Sequence, residues 1–265
     1  EGFGIDVGGT SYFNNHRDTD IARLSELTVV TDELAQSTWI SEEMPNGLQV
    51  TQVAAVPVND QRLDVTVTLT NNSGTDLTDV YYSRQVDNDA NVYACRANEG
   101  GWNSLNTVVA QADTNDGVSL VSSIMMDDCN DEDRPTDLTA PHSYLGLIST
   151  DSNSRVGIEQ LGFFAKPANA FYEGGEFCDQ GQGCDTVLVA RGSNVFNDSG
   201  IGISFDVGVL PAGASETLTF SYILSPAQAQ EIIDAHTEEN VIISPVLTAE
   251  GTNFSANVNK SFTTG

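Results

Sequence analysis

The sequence predicts an all-β protein built as an antiparallel β-sandwich, and three observations support this fold class. Stretches in which apolar and polar residues alternate recur along the chain, as in residues 63–70 (LDVTVTLT), and this period is typical of strands with one buried face. Polar turns rich in glycine and asparagine separate these stretches. No strand–helix–strand alternation is visible, which argues against a parallel, nucleotide-binding sheet. A chain of 265 residues can bury the core of one large sandwich, even a supersandwich.

The candidate strands follow one another closely along the chain. In order they are residues 26–31, 47–58, 63–70, 77–86, 118–125, 144–149, 156–164, 186–190, 201–209, 216–224, 241–247 and 253–262. The runs 63–70 and 77–86 are joined by a short polar turn that contains glycine, which predicts an antiparallel hairpin. Residues 88–116 and 127–137 are polar, and we expect them to be long loops at one end of the sandwich.

One segment is predicted to be helical. Ser225 fits the N-cap position and Pro226 fits the first helical position, and residues of high helix propensity follow them. We therefore expect one short helix near residues 226–236, at one end or edge of a sheet. No linker divides the chain, so residues 1–265 are predicted to form one domain, with residues 1–15 as an N-terminal extension or exchanged strand.

The chain is strongly acidic, with 38 acidic against 10 basic residues and a formal net charge of -28. Only two of the basic residues are lysines, Lys166 and Lys260. Such a surface repels nucleic acid and anionic membranes and stays soluble in salty water, so we expect no nucleic-acid partner. No stretch approaches the roughly 20 apolar residues of a membrane span, so no membrane insertion is expected. The sequence begins at Glu1 rather than Met, which we interpret as an exported product; a shortened chain is the alternative.

The four cysteines predict two disulfides. Cys178 and Cys184 bracket a short glycine-rich loop, and Cys95 and Cys129 flank a polar insertion and would form the second pair. Zinc sites usually show closer cysteine pairs or nearby histidines, and the three histidines here are isolated. Two disulfides in an oxidising compartment fit better, although four cysteines allow three pairings. This supports an extracellular or cell-surface location.

Three acidic segments are candidate calcium sites, because Ca²⁺ takes about six to eight oxygen ligands. The candidate ligands are Asp87, Asp89 and Asn91 in the first segment, Asp113, Asn115 and Asp116 in the second, and Asp127, Asp131 and Asp133 in the third. A solvated acidic loop is the alternative for each segment. The acid excess has two explanations, calcium loading and adaptation to high salt, and the sequence does not separate them.

Sequence motifs give little support to an enzyme. The chain has no G-x-S-x-G, no H-E-x-x-H, no Walker loop and no G-x-G-x-x-G between a strand and a helix. Residues 4–10 (GIDVGGT) resemble a phosphate-binding loop of sugar kinases but lack the α/β context of that family. A secreted glycan hydrolase with paired carboxylates is therefore the least favoured hypothesis.

Two stretches resemble secreted and surface-attached bacterial β-sandwich proteins. Residues 69–89 (LTNNSGTDLTDVYYSRQVDND) hold an L-T-N strand end, a polar turn and a closing R-x-x-D-x-D. Residues 205–220 hold a strand, an L-x-A-G-x-S turn and a second strand. Asn88 stands where most of those proteins have an aromatic residue. The resemblance implies a sandwich fold and a location outside the cell.

The first functional hypothesis is a non-catalytic structural protein of a bacterial surface or matrix that assembles into a fibre or layer. Phe3, Ile5 and Val7 alternate along the N-terminal stretch, so residues 1–15 could pair with the sheet edge of a neighbouring copy and form a homo-polymer. Cation bridges between acidic faces would add contacts. Pairing of this stretch within its own sheet is the alternative.

The second functional hypothesis is a calcium-dependent carbohydrate-binding or adhesin module for surface glycans. Trp102 lies in a glycine-containing stretch (GGWN), and exposed aromatic rings stack on sugar rings. A calcium ion at Asp87 and Asp89 would then engage sugar hydroxyls. Trp39 is expected to belong to the core.

Overall fold

The computed structural model describes residues 2–14, 19–58, 60–87, 104–112, 117–125, 143–159, 166–179 and 183–239. The strands in these ranges are β1 (Gly2–Val7), β2 (Thr10–Asn14), β3 (Arg23–Val30), β4 (Leu34–Ser41), β5 (Leu48–Pro57), β6 (Arg62–Asn71), β7 (Leu77–Asp87), β8 (Ser104–Ala110), β9 (Ser119–Met125), β10 (Ser143–Ser149), β11 (Ser154–Glu159), β12 (Gly175–Asp179), β13 (Gly183–Leu188), β14 (Asn194–Asn197), β15 (Gly200–Leu210) and β16 (Ser215–Ile223). The helices are α1 (Ala168–Glu173) and α2 (Pro226–Glu239).

The strands form two antiparallel sheets that pack face to face. The seven-stranded sheet has the order β12-β13-β11-β15-β7-β1-β2, and the nine-stranded sheet has the order β14-β8-β9-β10-β16-β6-β5-β4-β3. The apolar positions of both sheets meet in one core, to which Tyr82 and Phe205 contribute from the first sheet and Val67 and Leu218 from the second. The predicted antiparallel β-sandwich is therefore confirmed, and alternation along each strand explains it.

The predicted helix near residues 226–236 is also confirmed, as α2. The Ser225 hydroxyl accepts a hydrogen bond from the Gln228 backbone N–H at 3.3 Å, which is the expected N-cap contact. Ala229 is buried in a small apolar cluster with Ile148 and Ile223. The helix therefore covers one part of the nine-stranded sheet beside β10 and β16.

A second helix, α1, was not predicted. It lies on the outer face of the seven-stranded sheet, where the Phe171 ring is fully buried. The sheet makes room for the ring with two glycines: a Cβ atom at Gly202 would lie 2.6 Å from the Phe171 ring, and one at Gly157 would lie 3.1 Å from it. Six residues after a proline give too short a pattern for sequence analysis to recognise.

The predicted hairpin between residues 63–70 and 77–86 is wrong. The first of these runs, β6, lies in the nine-stranded sheet beside β16, whereas the second, β7, lies in the seven-stranded sheet beside β15. The connection therefore crosses from one sheet to the other. Crossing satisfies the same alternation as a hairpin does, because the apolar side of each strand still faces the core.

Asn71 holds this crossing in place and is fully buried. Its Nδ2 donates to the carbonyl oxygens of Thr75 and Leu210, each at 2.9 Å, and its Oδ1 accepts from the Ser73 backbone N–H at 2.9 Å. Its own backbone bonds Ala214 and Gly213 of the connection between β15 and β16, which also crosses between the sheets. The two stretches that carry the bacterial resemblance therefore meet here, and the relationship itself stays a prediction.

The N-terminal strand pairs within its own sheet. β1 lies between β7 and β2, and Phe3, Ile5 and Val7 are buried in the core. This is the alternative that the sequence left open. Exchange of this strand between copies stays a prediction, and it would require these three side chains to leave the core.

The sequence analysis did not predict several of the strands. The expected loop 88–116 contains β8 (Ser104–Ala110), so that part of the prediction is wrong, and β2, β4, β12 and β14 were also not predicted. The expected strands 241–247 and 253–262 and the expected loop 127–137 lie outside the described residues.

Candidate functional site

A partly open cavity of about 290 Å³ lies between the two sheets. We call it the Trp39 cavity. Its described lining residues are Gly2, Phe3, Asn14, Ser37, Trp39, Gln52, Ala54 and Arg84. They come from β1, β2, β4, β5 and β7, so the cavity depends on strands from both sheets.

Strand register explains why these side chains meet. In the seven-stranded sheet, Phe3 lies opposite Asn14 on one side and Arg84 on the other, which makes one row across β2, β1 and β7. In the nine-stranded sheet, Trp39 lies opposite Gln52. Opposite residues in antiparallel strands share a face, so one row faces the other across the cavity.

Trp39 forms an aromatic wall of the cavity. Its ring meets the Phe3 ring edge-on, with centroids 5.4 Å apart and planes at 79°. The side chain is half-buried, so it packs against the core and also lines the cavity. The sequence therefore predicted the contact of Trp39 with the core but not its position in the cavity wall.

The polar groups of the cavity are held by specific hydrogen bonds. Arg84 Nε donates to Tyr222 Oη at 2.7 Å, and Asn14 Nδ2 donates to the Ile21 carbonyl oxygen at 2.8 Å. These bonds fix the guanidinium and the amide from behind, so their positions are set before any ligand arrives.

This lining is suited to a small polyhydroxylated ligand. An indole face attracts the slightly positive C–H groups of a sugar ring, and guanidinium, amide and hydroxyl groups donate and accept hydrogen bonds to sugar hydroxyls. The described lining residues include no carboxylate, histidine or cysteine. The cavity can therefore bind and orient a sugar, and its described lining offers no general acid or base.

A second cavity of about 490 Å³ opens where the same two sheets end. Its described lining is mainly apolar, with Val56, Leu63, Val86, Leu145, Tyr222 and Leu224, and with Asp60, Gln61 and Arg62 adding polar groups. Tyr222 connects it to the Trp39 cavity, because its hydroxyl accepts the hydrogen bond from Arg84. The two described linings have no residue in common, and this hydrogen bond links a residue of one to a residue of the other.

A buried charged cluster lies near α1 and was not predicted. Lys166 Nζ lies 3.3 Å from Glu159 Oε1 and 3.2 Å from Asp185 Oδ2, and all three side chains are almost fully buried. Burial raises the pKa of Glu159 to about 8, against the opposing effect of Lys166. At neutral pH the Glu159 carboxyl is therefore mainly protonated. The scarcity of lysine was the available signal, since Lys166 is one of two in the chain.

Most of the predicted calcium ligands lie outside the described residues: Asp89, Asn91, Asp113, Asn115, Asp116, Asp127, Asp131 and Asp133. Asp87 is described; it ends β7 and lies opposite Gly200 of β15. Within the described ranges, no three histidine, cysteine or acidic side chains are grouped so that they could hold a metal ion. Calcium binding stays a prediction.

Only one of the two predicted disulfides would join residues that the structure describes. Cys178 and Cys184 lie directly opposite each other in the β12–β13 pair, and opposite residues in antiparallel strands have a Cα separation that a disulfide can span. Cys95, Cys129 and also Trp102 lie outside the described residues. Both disulfides stay predictions.

Among the helices that the structure describes, none is long and apolar enough to cross a membrane.

Comparison with known proteins gives no family for this chain. No protein-family model matches it, and no curated protein matches it. Among solved structures, the GH36 α-galactosidase AgaB from Geobacillus stearothermophilus is 9% identical with a TM-score of 0.37, covering 84% of this chain and 29% of its own. A polysaccharide lyase is 12% identical with a TM-score of 0.31, covering 89% of this chain and 27% of its own.

A third similar structure is the galactose mutarotase related enzyme from Lactobacillus acidophilus. It is 8% identical with a TM-score of 0.30, and the alignment covers 84% of this chain and 78% of that one. This chain spans less than a third of the length of the α-galactosidase and of the lyase. Likenesses this distant carry no argument about the activity of this protein.

Proposed function

We propose that this protein is an extracellular sugar-binding protein whose ligand is a neutral, hexose-sized sugar held in the Trp39 cavity. The observation that carries the proposal is the pairing of a half-buried tryptophan with a fixed arginine and amides in one cavity. Trp39 would stack on the ring of the sugar, and Arg84, Asn14 and Gln52 would bind its hydroxyls.

Size and charge narrow the ligand class. A volume of about 290 Å³ is at the small end for ligand cavities, which favours one sugar unit. The net charge of -28 disfavours anionic sugars at a distance, even though Arg84 lies in the cavity. A neutral hexose therefore fits better than a uronic acid. The extracellular location is inferred from the acidity, the cysteines and the bacterial resemblance.

Replacing Trp39 with Ala is expected to weaken sugar binding by about ten-fold or more, because it removes the stacking surface. Saturation-transfer NMR with the methyl glycosides of galactose, glucose, mannose and N-acetylglucosamine would identify a ligand, and titration would measure its affinity. Trp102→Ala is the matched control and should leave that affinity unchanged.

A second variant separates lost binding from lost folding. Ala54→Leu adds bulk to the cavity wall without removing a contact that Trp39 makes, so it should also block the sugar. Circular dichroism would check that both variants fold. Binding that survives both Trp39→Ala and Ala54→Leu, but is lost in Trp102→Ala, would move the site to the loop predicted from the sequence. Absence of binding to all four glycosides would contradict the proposal.

The structural, self-assembling role remains a separate proposal. Its first mechanism, exchange of residues 1–15, competes with the pairing of β1 inside its own sheet. Its second mechanism, cation bridging, depends mostly on acidic segments outside the described residues. An exposed sheet edge, β3, offers a different route to association.

A further inference from the structure

Strand β3 forms one edge of the nine-stranded sheet and is exposed along its whole length. Its large apolar side chains are open to solvent, with Leu27 65% exposed and Val30 74% exposed. An edge strand also presents backbone N–H and C=O groups that no strand of its own sheet bonds. Natural edges are commonly protected by charged residues, proline or β-bulges; on β3 the two charged residues and the one bulge lie between Arg23 and Glu26. The second half of this edge, Leu27–Val30, carries no charge and no proline and is therefore open to another strand.

The charge distribution around β3 favours a second copy of this chain as the partner. The strands β3, β4 and β5 read RLSELTVV, LAQSTWIS and LQVTQVAAVP, so their only charged residues are Arg23 and Glu26, and their net charge is zero. The whole chain carries -28. A basic partner would be attracted to the acidic surfaces elsewhere, whereas a second copy of this chain meets least repulsion here.

The hydrogen-bonding pattern of the hairpin defines a register. The Thr31 N–H donates to the Leu34 carbonyl oxygen across the β3–β4 turn at 2.9 Å. Since the direction of backbone groups alternates along a strand, the N–H and C=O groups of Glu26 and Thr28 point away from β4. Antiparallel pairing centred on Leu27 would place Glu26 of one copy opposite Thr28 of the other, so that these outward groups bond each other.

Side chains are compatible with the same register. It places Leu27 of one copy opposite Leu27 of the other at the twofold axis, so two exposed apolar side chains cover each other. A β-bulge between Arg23 and Ser25 interrupts the regular alternation, so this register is defined over residues 25–29. No two like charges lie directly opposite each other within this stretch. The two Glu26 side chains are diagonal neighbours beside the axis, and each is paired with Arg23 of its own strand.

We propose that β3 is the interface between two copies of this chain, paired antiparallel about a twofold axis at Leu27. The two nine-stranded sheets then become one continuous sheet. A twofold interface closes on itself, so the product is a dimer and not a filament. The inference is independent of sugar binding, since the β3 edge contributes no residue to the Trp39 cavity.

Sedimentation velocity of the full chain tests this proposal. We expect a monomer–dimer equilibrium whose dissociation constant falls by about ten-fold or more when NaCl rises from about 50 mM to about 500 mM, because salt screens the repulsion between two acidic chains. An interface held by ion pairs or calcium bridges would respond to salt in the opposite direction.

Two β3 variants and one control sharpen the test. Leu27→Glu places two carboxylates at the axis and should raise the dissociation constant by about ten-fold or more. Thr28→Pro removes an outward N–H, which an edge strand tolerates, and should also abolish the dimer. Val209→Glu adds the same charge at another exposed apolar position and should leave the dimer intact.

Three results would overturn the proposal: a monomer at every protein and salt concentration, a dimer that Leu27→Glu and Thr28→Pro leave unchanged, or polymers that grow without limit. Sugar binding by the Leu27→Glu variant should equal that of the unchanged protein. A loss of dimerisation with normal sugar binding therefore tests the interface alone, and a lack of sugar binding in a normal dimer tests the cavity alone.

Discussion

Replacing Asn71 with Ala is expected to lower the free energy of unfolding by about 2–4 kcal/mol. The side chain is fully buried and bonds Thr75, Leu210 and Ser73. Its removal leaves two carbonyl oxygens without their side-chain donor at the point where both connections cross between the sheets. Urea denaturation at fixed pH, followed by tryptophan fluorescence, would measure the change.

Asn72→Ala is the matched control for this prediction. Asn72 is the next residue in the same turn and is exposed, and no hydrogen bond of the fold uses its side chain among those described. We expect its effect to stay within about 0.5 kcal/mol. Equal, small effects at both positions would show that the crossing does not depend on the Asn71 side chain.

The crossing at Asn71 also shows which features of the fold the sequence predicts and which it does not. The alternation in β6 and β7 identified both strands within one or two residues, because a period of two reports a buried face directly. The alternation did not reveal which sheet each strand belongs to. A hairpin and a crossing leave the same pattern in each strand, and the choice between them depends on contacts with β15 and β16, more than a hundred residues away in the sequence.

The Trp39 cavity was beyond sequence analysis for a similar reason. β4 (LAQSTWIS) lacks clean alternation, so it was not predicted as a strand, and Trp39 was assigned to the core. Asn14, Arg84 and Gln52 have no shared motif; strand register alone places them around the indole. The residue types were visible in the sequence, but their meeting was not.

Glu159 provides the second large expected effect, because its folded state retains a proton that its unfolded state loses. The pKa of this carboxyl is raised by burial from 4.5 to about 8. A group whose folded pKa is raised stabilises the fold fully below its unfolded pKa, and that contribution is lost as the pH rises through the folded pKa. The protein should therefore become less stable as the pH rises from about 5 to about 8.

Glu159→Gln is expected to remove this pH dependence. Gln keeps the shape and the hydrogen-bonding capacity of the protonated carboxyl beside Lys166 and Asp185 but cannot ionise. Between about pH 5.5 and 7.5, the unchanged protein should lose about 1 kcal/mol of unfolding free energy per pH unit relative to the variant. Urea denaturation at a series of pH values would give both curves, and the variant should be the more stable protein above about pH 7.

Glu216→Gln is the control for the loss of one negative charge, because Glu216 is exposed on β16. Its curve should run parallel to that of the unchanged protein, because this variant retains Glu159 and with it the same pH dependence. Burial also raises the pKa of the Asp6 carboxyl. This contribution is common to all three proteins, so the difference between the curves isolates the effect of Glu159. If Glu159→Gln also ran parallel to the unchanged protein, Glu159 would be ionised in the fold, and Lys166 would outweigh its burial.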